Sequence, residues 1–77
     1  MRLTLQSPTE HQTLDISWIE LNTTSGNLVI MPGHTPMILR LKPQSQIVLG
    51  IGSAKQVLMV SGGVVEVTRD EVRALLL

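Results

Sequence analysis

The stretch Ile47-Val-Leu-Gly-Ile-Gly-Ser-Ala-Lys-Gln-Val-Leu-Met-Val60 decides the fold class of this 77-residue chain. Ile47, Leu49 and Ile51 recur with a period of two, which is typical of a β-strand with one buried face. Two glycines then turn the chain within residues 50–53, and a second apolar run follows. Two such runs joined by a short glycine-containing turn predict a β-hairpin.

Short strands bounded by turn residues also precede this hairpin. Leu3 and Leu5 share one face of a predicted strand that the sequence Ser7-Pro-Thr9 ends. Residues 28–31 are nearly all apolar, which predicts a strand covered on both faces. The segment 32–36 contains two prolines and a glycine, so it excludes a helix or a central strand there.

The apolar phase changes once, near the only tryptophan. Ile16 is apolar on an even position, whereas Ile19 and Leu21 continue on odd positions. A slip of one residue moves every later side chain to the opposite face of a strand. The sequence therefore predicts a β-bulge near Ser17 and Trp18.

The C-terminal third shows the same organisation. Residues 37–41 alternate until Pro43, and residues 64–68 form a largely β-branched run after Ser61-Gly-Gly63. Residues 70–74 have charges that suit the start of a helix, but the even-numbered apolar positions through Leu76 favour a turn followed by a strand. About eight short strands with regular turns indicate an all-β sandwich or barrel.

Composition excludes several classes of function. The chain is 43% hydrophobic but has no Phe or Tyr and one Trp, so we expect an aliphatic core. Six Lys or Arg balance six Asp or Glu, which removes the electrostatic basis for binding nucleic acid. There is no Cys for a disulfide or thiolate site, and no apolar run approaches the roughly 20 residues that span a bilayer. Burial of so small a core contributes little net free energy to folding, so we expect contact with a partner protein to add to the stability of the domain.

No catalytic, cofactor or metal constellation is evident. His11 and His34, the two histidines, are expected in different turns and lack the spacing of a metal site. The six glycines form no phosphate-binding pattern before a helix. An enzyme is therefore not expected, and no cofactor is predicted.

Three features remain as candidates for binding a protein partner. The sequence Pro32-Gly33-His34 predicts a rigid exposed loop that carries an imidazole, although a structural turn with a solvated histidine has the same pattern. Trp18 is predicted to point away from the main core as an interface anchor, and a tryptophan that fills a corner of the core is the alternative. The apolar residues 75–77 predict an edge strand that needs a cover.

Three segments, in this order and spacing, resemble the N-terminal domain of the F-type ATP synthase epsilon subunit. They are Gly26-Asn-Leu-Val-Ile-Met-Pro-Gly-His-Thr-Pro-Met-Ile38, Leu41-Lys-Pro43 and Val60-Ser-Gly-Gly-Val-Val-Glu-Val67. In that family a short strand leads into Pro-Gly-His, an apolar stretch ends in Lys-Pro, and Ser-Gly-Gly precedes a strand with a central Glu. The resemblance implies a single flattened β-sandwich domain over residues 1–77, with about eight to ten short, mostly antiparallel strands.

The resemblance also implies a non-catalytic role in the rotating central stalk. In the family this domain binds the gamma subunit and the polar loops of the c-ring, and it helps to couple ion translocation to ATP synthesis in the catalytic alpha/beta head. Residues 27–36 would then lie near the junction of gamma and the c-ring. The partner-binding residues that the resemblance implies are Asn27, Met31, Pro32, Gly33, His34 and Trp18.

The chain departs from the family pattern in three respects. Members commonly carry an acidic residue at the position of Asn27, so a charge contact to the c-ring is lost or replaced, and Gln44 stands where glycine is usual. The helical second domain of the family does not occur within these residues, so a chain complete at Leu77 would not inhibit ATP hydrolysis through it.

Two expectations about context follow. The lack of a targeting segment favours a bacterial protein, peripheral on the cytoplasmic face of the inner membrane, over an organellar one. The alternative function is a free-standing small β-sandwich that binds proteins.

Overall fold

Nine β-strands make up the regular structure of the chain in the computed structural model, which describes residues 1–77. They are β1 (Arg2–Gln6), β2 (His11–Asp15), β3 (Trp18–Thr23), β4 (Gly26–Ile30), β5 (Met37–Leu41), β6 (Ser45–Ile51), β7 (Ala54–Val60), β8 (Gly63–Val67) and β9 (Glu71–Leu76). The chain contains no helix with the length and apolar character needed to cross a membrane. The all-β prediction is confirmed.

The strands form one mixed sheet that curls into two layers. The hydrogen-bonded order is β2-β1-β9-β8-β5-β3-β6-β7, and β4 also pairs with β3. The β1–β9 pair is parallel, and all other pairs are antiparallel. A single pairing, Thr23 with Leu41, joins β3 of one layer to β5 of the other. The extents of 26 × 25 × 18 Å make the molecule flat along one axis, as predicted for a flattened sandwich.

The core lies between these layers and is wholly aliphatic, as the composition predicted. Every strand except β2 contributes at least one buried side chain to a single cluster, whose burial supplies the main driving force for folding. The 14 members are Leu3, Leu5, Ile16, Ile19, Leu21, Ile30, Leu41, Ile47, Leu49, Val60, Val65, Val67, Val72 and Ala74.

The predicted hairpin over residues 47–60 is confirmed as β6 and β7. Ile51 pairs with Ala54 across a two-residue turn, in which Gly52 has a φ of 60°. Glycine adopts this left-handed backbone conformation without the steric cost that a Cβ brings.

The change of phase near Trp18 separates two strands, so the predicted bulge within one strand is wrong. β2 ends at Asp15 and pairs only with β1, whereas β3 begins at Trp18 and pairs with strands of the other layer. Ile16 is buried between them, and the Ser17 N–H donates to the Gly50 carbonyl at 2.7 Å. The chain crosses between layers here, and each strand keeps its own phase.

The run 28–31 is not covered on both faces, contrary to the prediction. β4 pairs only with β3, and its outer face has no layer above it. Val29 and Met31 are consequently exposed, whereas Ile30 points into the core. The continuous apolar run in this strand therefore indicates one buried face and one exposed apolar face, not burial of both faces.

The C-terminal strand is not an edge strand, contrary to the prediction. β9 pairs in parallel with β1 and antiparallel with β8, so both of its backbone edges are bonded. Leu75 and Leu77 are nevertheless exposed as side chains. The preferred interpretation of residues 70–74 is confirmed, because β9 begins at Glu71 directly after a turn.

Candidate functional site

Residues 31–34 form a tight turn at the end of β4. Pro32 occupies the second position and Gly33 the third with a φ of 82°, and the His34 N–H donates to the Met31 carbonyl at 3.2 Å. A type II turn favours this sequence because proline fixes the second residue and the third needs positive φ. The Gly33 N–H also donates to the Arg69 carbonyl at 3.0 Å, which ties the loop to the turn between β8 and β9.

The ring of His34 is oriented by a hydrogen bond and is half-buried rather than merely solvated. Its Nδ1 lies 2.8 Å from the carbonyl oxygen of Thr35. A carbonyl only accepts hydrogen bonds, so Nδ1 carries the proton and donates. In the neutral imidazole Nε2 is then the acceptor that remains for a partner.

Trp18 at the start of β3 points away from the main core, as predicted, but it is half-buried rather than fully exposed. It pairs with Gly50 across the β3–β6 ladder. A Cβ built on Gly50 would clash with the indole nitrogen and the ring carbons beside it. The absence of a side chain at Gly50 therefore lets the indole lie directly against the backbone of β6.

Trp18 belongs to a larger apolar surface on the outside of the β4-β3-β6-β7 layer. Because successive side chains of a strand point to opposite faces, the neighbours of buried residues in β4 and β7 must face outward. Val29, Met31, Val57 and Met59 are 48%, 58%, 54% and 73% exposed. We call Trp18, Val29, Met31, Val48, Val57 and Met59 the outer apolar face.

One carboxylate interrupts the outer apolar face. Glu20 pairs with Val29 on one side and with Val48 on the other, and Val48 pairs in turn with Val57. Val48 is only 8% exposed although it points outward. Its neighbours on this face thus already pack around it. Lys55, which pairs with Gly50, and Gln46, which pairs with Met59, point to the same side, so polar side chains border the apolar ones. Exposed apolar patches with a polar rim mark sites of protein–protein contact.

Val29, Val57 and Met59 were missed as candidate site residues from the sequence. The available signal was the unbroken apolar run 57–60, which lies in a strand paired on one side only. Alternation places two members of such a run outside the core. The run 57–60 indicates exposed apolar residues only when it is known that no second layer covers the outer side of β7.

Five of the six predicted partner-binding residues lie at one end of the β3–β4 pair. Ile19 pairs with Ile30, so Trp18 and Met31 lie across from each other one residue beyond this pair. The turn 32–34 follows Met31 directly. Asn27 lies at the other end of β4, four residues away, which is about 13 Å along a strand. The structure therefore brings the tryptophan and the Pro-Gly-His turn together and leaves Asn27 apart.

Asn27 takes part in a neutral polar chain. Its Nδ2 donates to Asn22 Oδ1 at 3.0 Å, and Asn22 Nδ2 donates to the Gln46 carbonyl at 3.1 Å. These side-chain bonds connect β4, β3 and β6 at the exposed surface. They give Asn27 a local structural role that the sequence did not indicate.

The titratable side chains form no recognisable catalytic or metal-binding group. No three His, Cys, Asp or Glu residues lie together as potential metal ligands. His11 begins β2 instead of lying in the expected turn, and it is exposed. Every buried side-chain nitrogen or oxygen already has a hydrogen-bond partner.

Comparison with known proteins identifies the family. Residues 2–76 match the family model described as "ATP synthase, Delta/Epsilon chain, beta-sandwich domain". The ATP synthase epsilon chain of Psychrobacter arcticus is 43% identical over 53 residues, which cover 69% of this chain and 38% of that protein. That of Bordetella avium is 33% identical over 61 residues, covering 79% and 43%. The match thus spans less than half the length of these relatives.

Solved structures support the same fold. A chain of the Euglena gracilis mitochondrial ATP synthase superposes with a TM-score of 0.89 at 23% identity, covering 96% of this chain and 48% of that one. A chain of the Tetrahymena thermophila mitochondrial ATP synthase, from its central stalk and c-ring, superposes with a TM-score of 0.76 at 21% identity, covering 96% and 62%. The epsilon chain is a structural and regulatory, non-catalytic chain of its complex. With a match over residues 2–76, this chain belongs to the family of the ATP synthase delta/epsilon chain β-sandwich domain.

Proposed function

We propose that residues 1–77 act as one epsilon-type β-sandwich unit in the central stalk of an F-type ATP synthase. In this role the chain binds the gamma subunit and the polar loops of the c-ring, and it helps to couple ion translocation to ATP synthesis in the alpha/beta head. It would be peripheral to the membrane, on the cytoplasmic face of a bacterial inner membrane. The observation that carries the proposal is the family match over residues 2–76, which includes the Pro-Gly-His turn.

The outer apolar face supports the proposal because it offers a surface for a rotor partner. Val29, Met31, Val57 and Met59 are each about half exposed or more. Covering the exposed part of an aliphatic side chain of this size contributes on the order of 1 kcal/mol. A partner that covers all four would add appreciably to the net stability that so small a core provides.

The turn at residues 31–34 supplies a polar contact beside that surface. Gly33 and His34 donate backbone hydrogen bonds that fix the turn, and Nδ1 of His34 is held by the Thr35 carbonyl. Nε2 of the neutral ring accepts a hydrogen bond from a donor on the partner. The contact is preorganised, so binding loses little conformational entropy at this loop.

Stiffness of the domain suits the transmission of torque. Antiparallel and parallel ladders connect all nine strands, and one aliphatic cluster fills the space between the layers. Close-packed interiors have low compressibility and transmit strain. A rotor subunit built this way would move as one body with gamma and the c-ring. Family membership does not favour the alternative of a free-standing protein-binding module.

The test compares two equally exposed residues on opposite layers. Met59 on the outer apolar face and Ile38 on the other layer are both 73% exposed. Met59→Lys is expected to reduce co-purification of gamma and the c-ring at least tenfold, because it places a charge in the buried contact. Ile38→Lys is the control and should leave co-purification unchanged.

Both variants should keep the midpoint of thermal unfolding of the isolated chain close to that of the unchanged protein, because both positions are exposed. His34→Ala is expected to weaken assembly as well, since it removes the Nε2 acceptor. Equal losses for Met59→Lys and Ile38→Lys, or no loss for either Met59→Lys or His34→Ala, would contradict the assignment of this surface.

A further inference from the structure

Glu20 is the only carboxylate in strands β3, β4, β6 and β7, and it lies near the centre of the outer apolar face. Along β3 its neighbours on the same side are Trp18 and Asn22, because side chains two residues apart share a face. Across the sheet its neighbours are Val29 of β4 and Val48 of β6. All four neighbours are uncharged, so one negative charge stands alone among apolar and neutral polar groups.

The carboxylate of Glu20 has no cationic partner within the chain. None of the ion pairs of the protein involves it. Lys55 is the only basic residue in the same four strands, and its Cα lies two strands and two residues away, about 12 Å from that of Glu20. No buried side-chain oxygen of the protein lacks a hydrogen-bond partner, so water reaches the Glu20 carboxylate in the free chain.

A partner protein that covers the outer apolar face removes this water from Glu20. A carboxylate that is desolvated without gaining a cation or new hydrogen bonds strongly opposes binding. A partner surface that fits the face must therefore place a positive charge opposite Glu20. Charge complementarity thus excludes a purely apolar partner surface and specifies where the cation lies.

Trp18 makes the position opposite Glu20 suited to an arginine. The two side chains leave β3 on the same face, with their Cα atoms about 7 Å apart. The five-membered part of the indole lies against Gly50, so the backbone of β6 supports the ring. A planar guanidinium stacks on an indole and also pairs bidentately with a carboxylate, whereas the ammonium group of lysine is a strongly hydrated point charge without that planar fork.

We propose that Glu20 and Trp18 form a binding site for an arginine side chain of the protein that covers the outer apolar face. The guanidinium lies against the indole and donates hydrogen bonds to the Glu20 carboxylate, while apolar neighbours of the arginine pack on Val29 and Val57. The inference rests on the proposed stalk function for the identity of that protein, and it adds the chemistry by which the partner is recognised.

Replacing Glu20 with leucine distinguishes this site from simple apolar packing. Glu20→Leu enlarges the apolar surface, so packing alone predicts tighter binding of the rotor subunits. The arginine site predicts the reverse, a loss of at least about tenfold in co-purification, because the partner's arginine is then buried without an acid. The midpoint of thermal unfolding of the isolated chain should not fall, since the new leucine packs between Val29 and Val48.

Glu10→Leu is the matched control for the lost charge. Glu10 is also exposed to solvent, has no ion pair and lies just before β2 on the other layer. The substitution removes the same charge and adds the same side chain outside the outer apolar face. It should leave co-purification of the rotor subunits unchanged.

An NMR titration of the ¹⁵N-labelled 77-residue chain tests the site without the rotor. The probes are acetyl-Leu-Arg-Leu-amide and acetyl-Leu-citrulline-Leu-amide, in which a neutral urea group replaces the guanidinium. The arginine peptide is expected to bind with a dissociation constant on the order of 1 mM and to shift the single indole N–H signal, that of Trp18. The citrulline peptide should bind about fivefold more weakly, the upper range for an exposed ion pair. Glu20→Leu should abolish this preference, and Glu10→Leu should retain it.

Two outcomes would overturn the proposal. The first is co-purification by Glu20→Leu that equals or exceeds that of the unchanged chain while Met59→Lys loses the rotor subunits, a result that leaves the stalk function in place. The second is equal binding of the two peptides, or a preference for arginine that survives in Glu20→Leu. If the unchanged chain recovers no rotor subunit, the stalk function fails and the peptide titration alone decides the arginine site.

Discussion

At the scale of single residues, two turns share one backbone requirement but meet it with different residues. Gly33 follows Pro32 with a φ of 82°, and Gln44 follows Pro43 with a φ of 53°. Gln44 is the only residue other than glycine with positive φ. A side chain with a Cβ pays roughly 1 kcal/mol or more for this left-handed conformation. A glycine at the position of Gln44 would meet this backbone requirement without that cost.

Gln44→Gly is expected to raise the free energy of unfolding by up to about 1 kcal/mol, measured by urea denaturation. The gain comes from relief of left-handed strain, reduced by the greater entropy that glycine gives the unfolded chain. The matched control is the reverse change, Gly33→Gln, which should lower stability by about 1–2 kcal/mol. No atom lies within 4 Å of a Cβ at Gly33, so only backbone strain is tested. A stability loss in Gln44→Gly would show that the glutamine side chain makes a compensating contact.

Gly50→Ala is expected to displace the indole of Trp18 and to lower the free energy of unfolding by about 1–3 kcal/mol, the usual cost of overpacking. Trp18 is the only aromatic residue, so intrinsic fluorescence reports its environment directly. Its emission should shift to longer wavelength as the ring becomes more exposed. In a Trp18→Val background the same glycine substitution should cost much less, because the clash is gone. Equal costs in both backgrounds would contradict the packing of the ring on β6.

At the scale of elements, alternation in the sequence predicted where strands occur better than it predicted their surroundings. The hairpin β6–β7 and the turn before β9 were readable because glycine and charged residues mark them locally. The change of apolar phase at Trp18 could be read from the sequence. Whether it marks a bulge in one strand or the junction of two strands depends on which layer each strand joins. The exposure of Val29 depends on the absence of a strand above β4, and the pairing of β9 with β1 joins residues about 70 positions apart in the chain. Such long-range pairings leave no local signal.

An ion-pair ladder connects three neighbouring strands on the outside of the other layer. Arg73 of β9 lies 3.8 Å from Glu66 of β8 and 3.4 Å from Glu71, and Glu71 accepts from Arg2 of β1 at 2.8 Å. Each pair is at least partly exposed, so each contributes little alone. Arg73 contacts two carboxylates, which makes it the central residue of the ladder.

Arg73→Gln is expected to lower the free energy of unfolding by about 0.5–1 kcal/mol at low ionic strength, and by less in about 1 M salt, because salt screens exposed charges. Urea denaturation at both salt concentrations measures the difference. Arg69→Gln is the control, since Arg69 is exposed and has no ion pair. A loss for Arg73→Gln that does not depend on salt would assign its effect to packing of the side-chain stem instead.

At the scale of the whole molecule, the two layers present different surfaces. One layer carries the ion-pair ladder on its outside, together with the exposed side chains of Ile38, Val64 and Leu75, and the other carries the outer apolar face with the Pro-Gly-His turn at its end. The sequence predicted the turn and Trp18 as candidates because they stand out locally. It did not predict that Val57 and Met59 share their face, since only the curled sheet places β7 and β4 on the same layer. The candidate site is therefore a property of the fold as much as of any motif.

The stalk assignment is tested most directly by native mass spectrometry of a mild-detergent membrane extract, purified through a tag on this chain expressed in its own host. The expected result is co-purification of gamma, the c-ring and the catalytic head with one copy of this chain, and loss of those partners with Met59→Lys but not with Ile38→Lys. Recovery of the folded chain alone, or with proteins unrelated to ATP synthase, would contradict the stalk function while leaving the β-sandwich fold in place.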